Sequence, residues 1–128
     1  MNIKPAAFFI SLICGLLAAC GNGGLAAVKP EIDVEIVNHS SRDLQNSEVR
    51  FGEHICGWGN TGRTISKIYL FYPYPITFST EISWDEEGRN RKEKLDLSKI
   101  YIPGEAGRLT FTIYDDHVEA GFKQIKPN

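Results

Sequence analysis

The sequence predicts an all-β fold, an antiparallel two-sheet sandwich of about seven short strands behind an N-terminal signal helix, and three observations carry that prediction. Beyond residue 30, apolar side chains recur with a period of two, which puts one face of each segment in a core and the other in water. Clusters of Gly, Pro, Asn and Asp interrupt the pattern at short intervals, and no convincing helical period lies between them. With 128 residues, 42% hydrophobic and 23% charged, the chain has the makings of one ordinary folding domain. A formal charge of −2 and a pI near 5.9 leave no basic field for a polyanion, so nucleic acid is not an expected partner.

The elements follow in order. Met1 to Lys4 forms a short positive stretch and Ala6 to Leu17 an apolar run. Small residues then precede Cys20, so residues 1–19 read as a secretory signal. A permanent span would need about twenty apolar residues to cross ~30 Å of hydrocarbon, and Cys20-Gly21-Asn22-Gly23-Gly24 breaks the run too early.

Leu17-Ala18-Ala19-Cys20 resembles the lipobox of bacterial lipoproteins and matches it at all four positions. The resemblance implies cleavage before Cys20, a diacylglyceryl group on its thiol and usually a further acyl chain on the new amino group. One acyl chain holds a protein to a membrane only reversibly, whereas two or three hold it almost permanently. In Gram-negative members, Asp directly after the lipidated Cys tends to keep the protein at the inner membrane. Gly21 stands in that place here. The resemblance thus implies the outer membrane, with the domain facing the periplasm, while a Gram-positive surface lipoprotein stays open. Residues 20–30 then form a lipidated, flexible tether with an r.m.s. reach of roughly 15–20 Å.

The sandwich is expected over residues 31–126. Ile32, Val34 and Ile36 alternate with Glu31, Asp33 and Glu35, and Val49 and Phe51 alternate with Glu48 and Arg50. His54 to Trp58 fits a short strand with Cys56 inside, and Thr64 to Tyr72 is β-rich until two prolines stop it. Ile76, Phe78, Thr80, Ile82 and Trp84 share one parity. The Asp85-Glu86-Glu87-Gly88 sequence suits a type I turn closed by a left-handed glycine, joining that strand to Arg91–Leu97 as a hairpin. Residues 89–100 have a helical composition, but Leu95 and Leu97 have strand spacing and the preceding strand needs a partner, so we read strand. Leu109–Ile113 and Val118–Phe122 complete the set around a two-residue loop within Tyr114-Asp115-Asp116-His117. The pattern is similar to the small immunoglobulin-like or fibronectin-like sandwiches of bacterial exported proteins, without the paired cysteines of antibody domains.

Candidate chemistry is sparse. Cys14 leaves with the signal and Cys20 takes lipid, so Cys56 is the single thiol of the domain and is expected to be buried. Gly57-Trp58-Gly59-Asn60-Thr61-Gly62-Arg63-Thr64 nearly spells a phosphate-cradling loop, but a β-rich segment follows where a helix should open, so it reads as a connection between strands. His54-x-Cys56 lacks a second ligand pair, and no metal or cofactor is expected. The acidic turns Asp85-Glu86-Glu87 and Asp115-Asp116 read as solvated loops rather than paired catalytic carboxylates. No catalytic residue is assigned.

The most unusual segment is Tyr69-Leu70-Phe71-Tyr72-Pro73-Tyr74-Pro75, whose rings suit a partner surface because Tyr and Phe offer large area at low rotamer cost. With Ile68, Leu70 and Tyr72 turned inward, Tyr69 and Phe71 project outward. Tyr69, Phe71, Tyr72 and Tyr74 are the candidate contact residues, against the alternative that the rings only close the open end of the sandwich. The expected function is a lipid-anchored envelope lipoprotein carrying a non-enzymatic module for an unidentified envelope protein, with a toxin-neutralising lipoprotein as a special case. The competing readings are a small envelope hydrolase or ligand-binding enzyme, using His54 or His117 with an acidic turn, and a structural accessory subunit of an envelope complex.

Overall fold

The computed structural model describes residues 31–125. The signal 1–19, Cys20, the rest of the tether to residue 30, and Lys126 lie outside the described residues. Eight strands form two four-stranded sheets: β1 (Ile32–Asn38), β2 (Leu44–Phe51), β3 (His54–Thr61), β4 (Ser66–Tyr69), β5 (Ser79–Glu86), β6 (Arg89–Asp96), β7 (Gly107–Ile113) and β8 (Val118–Gln124). One sheet has the order β4-β1-β7-β8 and the other β3-β2-β5-β6. No helix occurs among the described residues.

The alternating residues do what their period requires. Val34, Ile36, Val49, Phe51, Ile82, Trp84, Leu109, Phe111 and Ile113 meet between the sheets in one core. Cys56 joins them as a free, buried thiol, pushed up by that burial to a pKa of about 12, and so protonated and unreactive at neutral pH. The hairpin expected between Ile76–Trp84 and Arg91–Leu97 is present as β5 and β6, with Ile76 to Phe78 and Leu97 left in the connections, and residues 89–96 are strand. Its turn differs: Glu86 pairs with Arg89, and Glu87 and Gly88 both have positive φ, the signature of a type I′ loop rather than type I.

The expectation of a wholly antiparallel sandwich needs correction. β1 and β7 pair in parallel, Ile32 opposite Gly107 through Asn38 opposite Ile113. Side-chain alternation is the same in either direction, so strand direction is set by how often the chain crosses between sheets. It crosses from β1 to β2, from β3 to β4, from β4 to β5 and from β6 to β7.

These crossings divide the sandwich into two ends. At the near end β1 begins at Ile32, and the long connections 70–78 and 97–106 pass from sheet to sheet. At the far end lie the connections 39–43 and 62–65 and the turns 87–88 and 114–117. The glycine-rich motif ends there: residues 57–61 are part of β3, residues 62–65 turn, and β4 follows where a phosphate loop would need a helix.

Candidate functional site

The near end carries the unusual surface. Tyr72 returns to the core at 6% exposure, its N–H donating to the Ile32 carbonyl at 2.8 Å and its ring tilted against Phe51 with centroids 5.4 Å apart. Together with Leu97 and Tyr101 it plugs the open end of the sandwich. Of the four candidate contact residues, Tyr72 is therefore core, while Tyr69, Phe71 and Tyr74 are exposed, with Leu70 and Phe78 beside them.

The expected parity also changes. Tyr69 lies opposite Val34 and so takes a core-facing register, whereas Ile68 and Leu70 are exposed rather than turned inward. β4 ends at Tyr69, and Phe71 then adopts a left-handed φ of 54°. That reversal breaks the alternation, throwing both Leu70 and Phe71 outward before Tyr72 comes back in.

A left-handed backbone is costly for a bulky residue and persists only where its surroundings fix it. Here the fixing group is Asp33, whose Oδ1 accepts the Phe71 N–H at 3.1 Å while its Oδ2 lies 3.6 Å from Arg108 Nη2. Asp33 is a residue that the sequence pattern places on a wet face. It is 9% exposed instead, held on the outer side of the β4-β1-β7-β8 sheet. The sequence holds no signal for this role beyond a carboxylate and an arginine at matched positions of two strands, Asp33 opposite Arg108.

Around Phe71 the rings form a connected set. Tyr69 and Tyr74 each meet Tyr72 edge-on, at 5.5 and 5.8 Å, and Tyr74 stacks on His54 with centroids 4.0 Å apart and planes 8° apart. Tyr101 is packed edge-on between Phe78 and Phe122. Between Ile32, Tyr72, the two prolines, Ile76 and Tyr101 lies a hollow of about 120 Å³, smaller than the roughly 300–1,000 Å³ of small-molecule sites. The Tyr72 hydroxyl is buried without a hydrogen-bond partner. Burial, followed by the charges Cys56, Tyr69 and Tyr74 can carry, pushes its pKa up to about 12.

The seam between the sheets, toward the far end, is closed by a residue that the sequence reading passed over. β3 and β4 are neighbouring edge strands, and Lys67, on the core-facing side of β4 opposite Ile36, donates from Nζ to the Trp58 and Asn60 carbonyls of β3. A lysine aimed inward at an edge blocks further strand pairing. The other edge of the β3-β2-β5-β6 sheet, β6, is guarded by Arg91, which pairs with Glu86 at 2.9 Å and lies over the Trp84 ring.

The remaining titratable candidates are not brought together. His54 sits at the near end on Tyr74, whereas His117 sits at the far end, stacked on Tyr114 and hydrogen-bonded to Asp116 and Glu119. Asp85 is held below its ordinary value by hydrogen bonds from Asn46 and Asn90, and Asp115 by those from Ser41. Among the described residues no group of three or more His, Cys, Asp or Glu is arranged to hold a metal ion.

Fold and surface together define an all-β two-sheet sandwich with an aromatic, loop-built end. In fold it is similar to an NMR structure of a protein from Eubacterium rectale, at 11% sequence identity and a TM-score of 0.51, covering 78% of this chain and 95% of that one. At that identity the likeness is one of fold alone. No family model and no curated protein matches the sequence.

Proposed function

We propose that this protein is a bacterial envelope lipoprotein, anchored through acylated Cys20 in the outer membrane with its domain in the periplasm, and that the sandwich is a non-enzymatic interaction module whose contact surface is the near end. The observation that carries the module reading is Phe71. It is 62% exposed, so its ring contributes little burial, yet its backbone is held in a left-handed conformation by a buried carboxylate. Strain kept at an exposed aromatic points to use of that ring outside the fold. The separation of His54 from His117, each already engaged by a stacked tyrosine, supports binding over hydrolysis. The anchoring part rests on the lipobox sequence at residues 17–20.

Two measurements test the two parts. Mass spectrometry of membrane-extracted protein is expected to show residues 1–19 absent and acyl mass on Cys20, and Cys20→Ala is expected to release the protein from the membrane fraction. A benzophenone side chain placed at position 71 in intact cells is expected to form an adduct on irradiation, while one placed at Ile65, at the far end, is not. Equal labelling at both positions, or none at either, removes the near end as the contact surface.

A further inference from the structure

Resting on that reading, we infer that the near end's partner is the bilayer itself: the loops 70–78 and 97–106 dock into the headgroup region of the membrane that holds Cys20, fixing the domain's orientation. The first argument is where the chain outside the described residues rejoins the fold. β1 starts at Ile32, at the near end, so the tether hangs the domain by that end. Eleven residues run from Cys20 to Pro30, and a chain of that length spans at most about 36–40 Å. A strand of seven residues alone carries the far end about 23 Å further away, at ~3.3 Å per residue. The near end thus stays within reach of the lipid while the far end faces away.

The second argument is what that end exposes. Leu70, Phe71, Tyr74, Phe78 and Ile102 are all exposed, and all lie in the two connections rather than on a sheet face. Loop tips bearing Phe, Leu, Ile and amphipathic Tyr suit the membrane interface, where a ring lies among acyl chains and a hydroxyl among headgroups. A small-molecule occupant is disfavoured, since the hollow here is only about 120 Å³. The charges around the loops lean acidic, with Glu31, Glu53, Asp96 and Glu105 against Lys99, so the attraction is apolar rather than electrostatic. A patch of this size would hold a free protein weakly. The anchor makes docking intramolecular, so weak contact suffices.

The third argument is the strained Phe71. Asp33 holds Leu70 and Phe71 out together at the turn after β4, the arrangement that inserts two apolar tips side by side.

The test uses the full acylated protein in vesicles of phosphatidylethanolamine and phosphatidylglycerol whose acyl chains carry bromine, a short-range quencher of tryptophan. In Phe71→Trp, the added fluorescence is expected to fall at least about twofold against unbrominated vesicles, since an interfacially docked side chain reaches about 5–10 Å into the headgroup and acyl boundary. In Ile65→Trp it is expected to be unchanged, and raised salt is expected to leave both results as they are. Circular dichroism checks that each variant folds, and if Phe71→Trp does not, Phe78→Trp takes its place. Acylated, vesicle-bound protein that shows no quenching at position 71, or equal quenching at 65, overturns the docking and leaves the anchor standing. A protein adduct from position 71 in cells, with no quenching in vesicles, assigns the surface to a protein instead. Material that retains residues 1–19 and carries no acyl mass brings down the anchor and the docking together.

Discussion

The near and far ends are built from the same eight strands by opposite chemistry. At the far end, polar side chains hold the protein's own loops. Asn38, fully buried, donates from Nδ2 to the Arg42 and Thr61 carbonyls and accepts at Oδ1 from the Ser40 N–H and hydroxyl. Ser41 donates from its N–H and hydroxyl to Asp115, the Arg63 N–H reaches Asp43, and Arg42 pairs with Glu87 at 2.8 Å. At the near end, Tyr72, Leu97 and Tyr101 do the holding from within, and the exposed apolar residues hold little of the fold. A surface that stability does not require is the one to examine for contact with something else.

The sharpest break of this comparison comes from removing each end's inner support. Tyr72→Ala is expected to cost about 3–5 kcal/mol, as loss of a buried ring does, and Asn38→Ala about 2–4 kcal/mol, as several hydrogen bonds worth about 1 kcal/mol each go with their buried partners left unmet. Chemical denaturation of both variants measures this. Tyr72→Phe separates ring from hydroxyl. The hydroxyl is buried and unpartnered, so its removal is expected to leave stability unchanged or raise it by about 1 kcal/mol. A clear loss would mean that the hydroxyl is satisfied in solution.

Phe71→Gly is the intermediate case and turns the comparison on a single residue. Glycine accepts a positive φ without the penalty of about 1–2 kcal/mol that an L-residue with a side chain meets there, and the Phe71 ring is mostly in water. The melting temperature is therefore expected to stay level or rise by a few degrees, while any contact the near end makes is weakened. Asp33→Asn is expected to keep the carbonyl acceptor for the Phe71 N–H, whereas Asp33→Ala loosens the 70–71 turn, which amide exchange at Phe71 would show as faster. A substantial drop in melting temperature for Phe71→Gly would make Phe71 a structural residue and remove the argument from strain.

Much of the frame was legible because alternation reports burial directly. The core positions of β1, β2, β5 and β7 and the pairing of β5 with β6 follow from it, while the burial of Cys56 follows from the habit of free thiols to lie in cores. Direction was not legible, since a parallel β1–β7 pair shows the same alternation as an antiparallel one. Nor was the candidate site in full. The Phe71 reversal shifts which of residues 68–72 face outward, and its cause, Asp33, is 38 positions away in sequence. Lys67 did offer a signal, a charged residue on the parity of Tyr69 in a short strand ahead of two prolines, but only the neighbouring β3 edge gives it meaning.

The smallest expected effect belongs to the far end and tests whether its polar contacts tighten their own hairpin. His117 closes the 114–117 turn, its carbonyl accepting the Tyr114 N–H at 2.8 Å, and its ring nitrogens meet Asp116 at 2.6 Å and Glu119 at 2.9 Å. The Glu119 and Asp116 hydrogen bonds raise its pKa above the ordinary 6.5, and the bond from His117 lowers that of Asp116 below 3.8. The His117 contribution is thus fully present below pH 6.5 and is lost as pH rises through the raised value. The Asp116 contribution is present above its ordinary value and lost as pH falls through the depressed one. Between the two, ring and carboxylate are both charged and the turn is tightest. An NMR titration of the His117 ring is expected to give a midpoint above 6.5 that falls in Glu119→Gln, with the Tyr114 amide exchanging faster on the alkaline side. Because these groups are exposed, the change should be confined to the turn and vanish at high salt, leaving the near end's signals unmoved.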